Sequence, residues 1–230
     1  MKKGYIVDTE TSRAVDGEVI ELAYGSVEFE LQRAPGDLFE NSLVCSRFKP
    51  LRKISCGAMA VHHIIPSDLA DCPPSAEAKL PDDCGYMIGH NVDFDWKVLG
   101  SPTGVKRICT LAFVRDLWPD VEGHSLGACI YRIMHFGEAR DRLKTAHNAG
   151  TDVLLCADLL EYLLVEYFTV ENLEELWLLS EEARMPKIWT FGKFKGKKIE
   201  ATDRGYLHWC LKQPDMDEYV KKACEKALQA

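Results

Sequence analysis

Residues 5–10, which read Tyr5-Ile-Val-Asp-Thr-Glu10, form the stretch on which the interpretation of the fold depends. The run has the composition of a β-strand, and Asp8 and Glu10 lie two residues apart in it. Their side chains should therefore project from one face of the strand, together with Ile6. Adjacent carboxylates on a largely apolar strand repel each other and need a cation or a shared proton. The spacing indicates a metal site, although an exposed strand end would give the same pattern.

Two more strands are expected after the first, at 19–29 and 43–48, with turn residues between them. Short connections of this kind are typical of an antiparallel meander. A short apolar run follows at 86–88, and helical patterns dominate from Asn91 onward. Three strands followed by alternating strand and helix predict an α/β fold with mixed strand directions.

Helices are recognised by apolar periodicity and by their end signals. Asn91 is a residue that can cap a helix, and Gly100-Ser-Pro102 would end it near residue 99. Further helices are predicted over 57–62, 110–117, 125–134 and 151–167.

Two acids of the helical part lie where an acid is unfavourable. On a helix from Thr151, Asp152 shares an apolar stripe with the positions three, four, seven and eleven residues later. Asp95 similarly shares its face with Val92 and Val98, whereas Asp93 lies on another face and suits the start of a helix. A buried carboxylate must be paired or metal-bound. The facing of Asp95 and Asp152 therefore predicts carboxylates that are either paired or bound to a metal.

His147 precedes Asp152 by five residues, which do not share a helical face. We therefore expect it on the loop that leads into the helix, from which it could reach a bound substrate. A surface histidine without function is the alternative that position alone leaves open.

Composition limits the classes of protein to which the chain can belong. The hydrophobic fraction of 47% over 230 residues supports a packed core, and no apolar run is long enough to span a membrane. The nine cysteines include no Cys-x-x-Cys pair, which argues against a zinc site and for reduced thiols in the cytoplasm. No signal peptide is visible at the N-terminus.

Charge is unevenly placed along the chain. The net charge is −8, yet residues 185–230 carry ten Lys and Arg against six Asp and Glu. We predict an acidic domain at 1–168, a connecting helix at 169–186 and a small basic module at 187–230. In that module four lysines alternate with Phe191 and Phe194; they are Lys193, Lys195, Lys197 and Lys198. Such a surface suits a phosphate backbone, although a solvated turn would also explain it.

Three segments resemble the motifs of the DEDDh (DnaQ-like) exonucleases, the group that contains the proofreading subunit of bacterial DNA polymerase III. They are Val7-Asp-Thr-Glu-Thr11, Gly89-His-Asn-Val-Asp-Phe-Asp95 and His147-Asn-Ala-Gly-Thr-Asp152. They occur in the family order and cover residues 5–165, so together they are a specific signal. The resemblance continues into the tail at 190–198 and 203–209. It implies an RNase H-like mixed sheet flanked by helices.

The resemblance also implies a chemistry. Asp8, Glu10, Asp95 and Asp152 would bind two Mg²⁺ ions, with Mn²⁺ as a substitute, and His147 would act as general base. An imidazole suits that role because its ordinary pKa lies near working pH. The expected activity is 3′→5′ hydrolysis of DNA to nucleoside 5′-monophosphates.

The substrate contacts implied by the resemblance are less specific. They are Thr9, Thr11, Met59, His62 and Asn91, besides the lysines of the tail. For the segment around His62, an alternative is a helix that packs its apolar side with both His62 and His63 exposed. Two rival functions remain open, an exonuclease of RNA or oligoribonucleotides and a non-catalytic nucleic-acid-binding protein on a nuclease fold.

Overall fold

The computed structural model describes residues 2–27 and 43–229. Within these residues one sheet has the strand order β3-β2-β1-β4-β5. The strands are β1 (Lys3–Thr11), β2 (Val19–Val27), β3 (Val44–Arg47), β4 (Cys84–Gly89) and β5 (Lys106–Cys109). The first three strands pair antiparallel, whereas β4 and β5 run parallel to β1. The predicted meander and the mixed sheet are confirmed.

Two details of the strands differ from the sequence prediction. The short strand β5 was not predicted, because four residues with only two fully buried carry too weak a pattern. The predicted second strand extended to residue 29, and its last two residues lie outside the described residues.

The helices of the described residues lie mostly in the second half of the chain. They are α1 (Cys56–His62), α2 (Asp93–Val98), α3 (Thr110–Leu117), α4 (Leu126–Ile133), α5 (Phe136–Arg142), α6 (Ala149–Glu166), α7 (Leu173–Arg184), α8 (Arg204–Leu211) and α9 (Glu218–Gln229). In that part of the chain, no helix has both the length and the apolar character needed to cross a membrane.

The starts of α2 and α6 correct two predictions. Asn91 is not the cap of α2: Val92 occupies that position without a side-chain cap, and Asn91 lies before it in the left-handed region at φ 72°. Asn tolerates this conformation better than most residues, so it makes the sharp turn out of β4. Helix α6 begins at Ala149, two residues earlier than expected, because Asn148 accepts a hydrogen bond from the backbone N–H of Thr151.

The main core lies between the sheet and α6, which packs against β1 and β2. The stripe predicted for this helix is buried, at Leu155, Cys156, Leu159 and Leu163. Asp158, on another face of the helix, is half-buried and pairs with Arg142 at 2.6 Å. Because α6 packs against β1 and β2, its first turn meets the face of the sheet from which Asp8 and Glu10 project.

The chain forms two compact units, Met1–Ser180 and Glu181–Ala230. The second unit has its own core, centred on Trp189, which is 1% exposed and donates its indole N–H to Thr202 at 2.7 Å. Other buried members of this core are Ile199, Leu207, Cys210, Val220, Ala223 and Cys224. The domain limits that the sequence suggested stay predictions.

Candidate active site

Three carboxylates meet where the first turn of α6 reaches the sheet. One ligand oxygen each from Asp8, Glu10 and Asp152 can be chosen so that all three lie within 4.8 Å of one another. Asp8 and Glu10 come from β1 and Asp152 from α6, as the facing arguments required. Hard oxygen donors at this separation suit a divalent cation such as Mg²⁺.

Asp95 lies on α2 and is the most deeply buried of the predicted ligands, with 4% of its surface exposed. Its Oδ1 accepts a hydrogen bond of 2.6 Å from the hydroxyl of Thr9, which lies between Asp8 and Glu10 on the opposite face of β1. It belongs to the same electrostatic cluster, because its charge raises the pKa of both Asp8 and Glu10. The three-carboxylate group defined by mutual distance does not include it.

All four carboxyl groups have a raised pKa. Burial and then the charges of Asp95, Asp152 and Glu10 raise the pKa of Asp8 well above its ordinary value. Burial and the neighbouring acids raise the pKa of Glu10 to about 8, and burial raises that of Asp95 to about 7 against the opposing bond from Thr9. Acids in this state hold protons until a cation replaces them.

His147 is exposed on the loop before α6, as its position in the sequence predicted. Its charge and its backbone both lower the pKa of Asp152, which burial raises. The two residues line one cavity of about 320 Å³. The other walls of this cavity are Ser125, Leu126, Gly127, Leu143, Ala146 and Leu155. The arrangement leaves space for a small group beside the carboxylates.

One buried acid of the site was missed by the sequence analysis. Glu21 lies on β2 directly opposite Glu10 and is 1% exposed. Its charge raises the pKa of both Asp8 and Glu10. The sequence does carry a signal for it, because Glu21 is a charged residue that interrupts the apolar run Val19-Ile-Glu-Leu-Ala23.

The predicted substrate contacts occupy different environments. Thr9 and Thr11 are buried, and the hydroxyl of Thr11 donates to the carbonyl of Arg13 at 3.0 Å. Met59 is half-buried on α1, and Asn91 is exposed. His62 is buried, so the alternative with both histidines exposed is wrong for it; its Nδ1 accepts the N–H of Ile64 at 3.0 Å.

The four lysines of the tail lie on one exposed loop of the second unit, residues 191–198, which we call the basic loop. Gly192 and Gly196 have positive φ values of 69° and 82°, and they let the backbone fold back on itself. Lys193 and Lys197 lie over the ring of Phe194, at 5.3 and 5.7 Å from its centroid.

The basic loop packs against a cluster of aromatic side chains. The Phe194 ring meets Tyr206 edge-on at 4.7 Å, and Trp209 stacks on Tyr206 at 5.3 Å. Half of the surface of Trp209 stays exposed. The second unit therefore presents cations beside an open indole face.

The sequence and the fold both have counterparts among known proteins. Exodeoxyribonuclease 10 of Escherichia coli K12 is 28% identical over 219 residues, which span 91% of each chain. The resemblance to the DEDDh exonucleases is confirmed. No family model matches the chain.

Solved structures of exonucleases have a similar fold. A structure of exonuclease X in complex with 5′ overhanging duplex DNA superposes with a TM-score of 0.57 at 24% identity, covering 76% of this chain and 99% of that one. A zinc-bound complex of Escherichia coli exonuclease I with single-stranded DNA gives a TM-score of 0.57 at 15% identity, covering 81% of this chain and 44% of that one. At these identities the likeness concerns the fold, and the RNase H-like sheet flanked by helices is confirmed.

Proposed function

We propose that this chain is a metal-dependent 3′→5′ exonuclease that removes nucleoside 5′-monophosphates from the 3′ ends of DNA. The observation that carries the proposal is the convergence of Asp8, Glu10 and Asp152 within 4.8 Å, all with raised pKa values. The sequence likeness to an exodeoxyribonuclease over 91% of the chain supports the substrate. A protein that only bound nucleic acid would have no use for buried, mutually repelling acids.

The donor set fits two Mg²⁺ or Mn²⁺ ions held by Asp8, Glu10, Asp95 and Asp152. When bound, such ions stabilise the negative charge on the attacking and the leaving oxygen of the phosphodiester. Asp8 would be the central ligand of this set, because the charges of all three other acids act on it. Asp95 is held in one orientation by Thr9, so its free oxygen is directed before the ion arrives.

His147 is the proposed general base. Its imidazole accepts a proton from the water whose oxygen forms the new bond to phosphorus, while the bond from phosphorus to the 3′-oxygen breaks. The 3′-oxygen leaves with a proton from solvent, and the products are a nucleoside 5′-monophosphate and a strand with a free 3′-hydroxyl. Exposure of His147 at the mouth of the cavity leaves room for this exchange of protons.

Two groups of residues are proposed to contact the substrate. The first group is Thr9, Thr11, Met59, His62 and Asn91, which lie on β1, on α1 and before α2. Of these, the half-buried Met59 and the exposed Asn91 offer accessible surface for the terminal nucleotide. The basic loop supplies Lys193, Lys195, Lys197 and Lys198 for the phosphate backbone. Sequence-independent affinity of this kind comes from phosphate contacts and from stacking on aromatic side chains.

The central test uses 5′-labelled single- and double-stranded DNA, with matched RNA oligonucleotides in parallel. We expect Mg²⁺ to produce a ladder of 3′-shortened products, and EDTA or Asp152→Ala to abolish it. Release of the 5′ label as a mononucleotide at the first time points would indicate the opposite direction. Faster degradation of RNA than of DNA would show that RNA is the preferred substrate. Binding without any hydrolysis would show that the chain is a non-catalytic nucleic-acid-binding protein.

A further inference from the structure

The buried carboxylate of Glu21 lies at the point where the loop of His147 enters α6. One oxygen, Oε1, accepts from Nε of Arg47 on β3 at 2.9 Å. The other, Oε2, accepts from the side-chain amide of Asn148 at 3.2 Å and from the backbone N–H of Ala149 at 3.0 Å. One side chain of the sheet thus binds the two residues that follow His147.

The start of α6 is a suitable partner for this negative charge. The first N–H groups of a helix have no partner within the helix, and they carry the positive end of its dipole. A charge as deeply buried as that of Glu21 needs such partners, and Arg47 supplies the remaining one. The sheet and the helix are therefore joined by charge-assisted hydrogen bonds rather than by apolar packing alone.

Glu21 could instead be an additional metal ligand, because it lies opposite Glu10 in the sheet. Its hydrogen bonds argue against this role. Both oxygens are already occupied, one by Arg47 and the other by Asn148 and Ala149.

The backbone of His147 shows which conformation the hydrogen bonds of Glu21 have to stabilise. Its φ is 63°, in the left-handed region that costs a non-glycine residue free energy. Such a conformation persists where its surroundings impose it. Asn148 provides the link, because its Oδ1 accepts from the N–H of Thr151 while its amide donates to Glu21. Asp152 follows in the same helical turn.

We propose that Glu21 is a positioning residue, which sets the loop of His147 and the first turn of α6 relative to Asp8 and Glu10. It acts through Asn148 and Ala149 and does not itself touch the substrate or the ions. Its role in catalysis rests on the proposed nuclease function. Its effect on the backbone does not depend on that function, so the effect on catalysis and the effect on the backbone can be measured separately.

The main variant is Glu21→Gln, which keeps the size of the side chain and removes its charge. The matched control is Ser180→Ala: Ser180 is equally buried and accepts the N–H of Cys109 at 2.9 Å, at the far side of the sheet. Both variants lose a buried hydrogen bond and should be destabilised to a similar degree. Asn148→Ser is a milder second variant, since it keeps a capping oxygen and removes the amide that binds Glu21.

Amide hydrogen exchange of the segment 146–152 is the readout that does not depend on activity. We expect exchange about ten times faster in Glu21→Gln, faster also in Asn148→Ser, and unchanged in Ser180→Ala. Equal exchange in all three variants and wild type would overturn the proposal.

Kinetics on a 5′-labelled oligonucleotide provide the second readout. We expect kcat to fall roughly 10–100-fold in Glu21→Gln, as for other residues that orient metal ligands, with KM changed little. A fall of kcat by the same factor in Ser180→Ala would make the effect one of general stability and would contradict the proposal. A wild-type chain without nuclease activity would refute the proposed function, while the exchange result would still decide the role of Glu21 in the backbone.

Discussion

At the scale of single residues, the carboxylates of Asp8, Glu10 and Asp152 meet within 4.8 Å of one another. Asp8 and Glu10 were predicted from strand alternation, and Asp95 and Asp152 from the apolar faces that they interrupt. The arguments rest on the cost of burying a carboxylate, by which an acid on a buried face signals a compensating partner; the structure brings Asp8, Glu10 and Asp152 together, and their role as metal ligands stays a proposal. Glu21 was not predicted, because the argument from strand alternation covered β1 and not β2, the strand that pairs with it.

The substitution Asp152→Asn tests the ligand set most directly. We expect kcat to fall on the order of 10³-fold, because an ion that stabilises the transition state by several kcal/mol loses a ligand oxygen charge. The matched control is Asp158→Asn on the same helix, whose carboxylate pairs with Arg142 and faces away from the cluster. Comparable activity of the two variants in single-turnover assays would refute the role of Asp152.

The raised pKa of Glu10 predicts how stability depends on pH. Its pKa is about 8 in the folded protein against an ordinary value of 4.5, so between these values the folded state binds a proton that the unfolded state has released. The metal-free protein should therefore be most stable below pH 4.5 with respect to this group, lose stability as pH rises, and reach the full loss above pH 8.

Thermal unfolding in EDTA from pH 5 to pH 9 measures this dependence. Glu10→Gln should flatten the slope, whereas Asp71→Asn on the surface should leave it unchanged. Mg²⁺ binds the ionised carboxylates, so the rise in Tm that it causes should be larger at pH 9 than at pH 6. A rise in Tm that is the same at both pH values would contradict the assignment.

At the scale of elements, the sequence predicted which helices and strands exist better than where they begin. Helix α6 begins at Ala149, two residues before the predicted start at Thr151, because Asn148 and Glu21 both satisfy its N-terminal N–H groups. The second of these contacts comes from a residue 128 positions away along the chain. A local pattern cannot contain such a partner. The start of α2 differs for a local reason, because Asn91 makes a left-handed turn two residues before the helix instead of capping it.

The bond between Thr9 and Asp95 joins β1 to α2 and should tune the affinity for metal. Thr9→Val removes the hydroxyl that lowers the pKa of Asp95 and keeps the shape of the side chain. The pKa of Asp95, about 7, should then rise, so at pH 7 fewer molecules carry the ionised ligand. We expect Mn²⁺ to bind about 5–10-fold more weakly, which is the effect of roughly one hydrogen bond.

Isothermal titration of Mn²⁺ at pH 7 and pH 9 checks this expectation. The difference between Thr9→Val and wild type should shrink at pH 9, where Asp95 ionises in both proteins. Thr11→Val serves as the control, because its hydroxyl binds the carbonyl of Arg13 and not an acid of the site. A loss of affinity that is equal in the two variants would assign the effect to packing of β1.

At the scale of the whole molecule, the charge distribution resolves an apparent conflict. A net charge of −8 is unfavourable for binding DNA, yet part of the negative charge comes from the acids that are proposed to hold cations. The lysines are concentrated in the second unit, where the basic loop carries four of them within six residues. Composition alone showed the imbalance. It did not show the aromatic cluster beneath the loop, since Tyr206 and Trp209 join Phe194 only through folding.

The last prediction concerns this basic loop and the salt dependence of binding. Lys193, Lys195 and Lys197 form no ion pair with any other residue in the described parts of the chain, so their charges remain available to phosphates. Each phosphate contact on single-stranded DNA contributes roughly 0.7 to the slope of log affinity against log salt concentration. Replacing the three lysines by glutamine should therefore reduce the slope by about 2 if all three bind phosphate.

A second triple variant at Lys53, Lys79 and Lys212 removes the same charge from other exposed positions. Binding of labelled DNA in Ca²⁺ at several salt concentrations should separate them, and equal slopes in the two triple variants would show that net charge, rather than the basic loop, attracts the DNA.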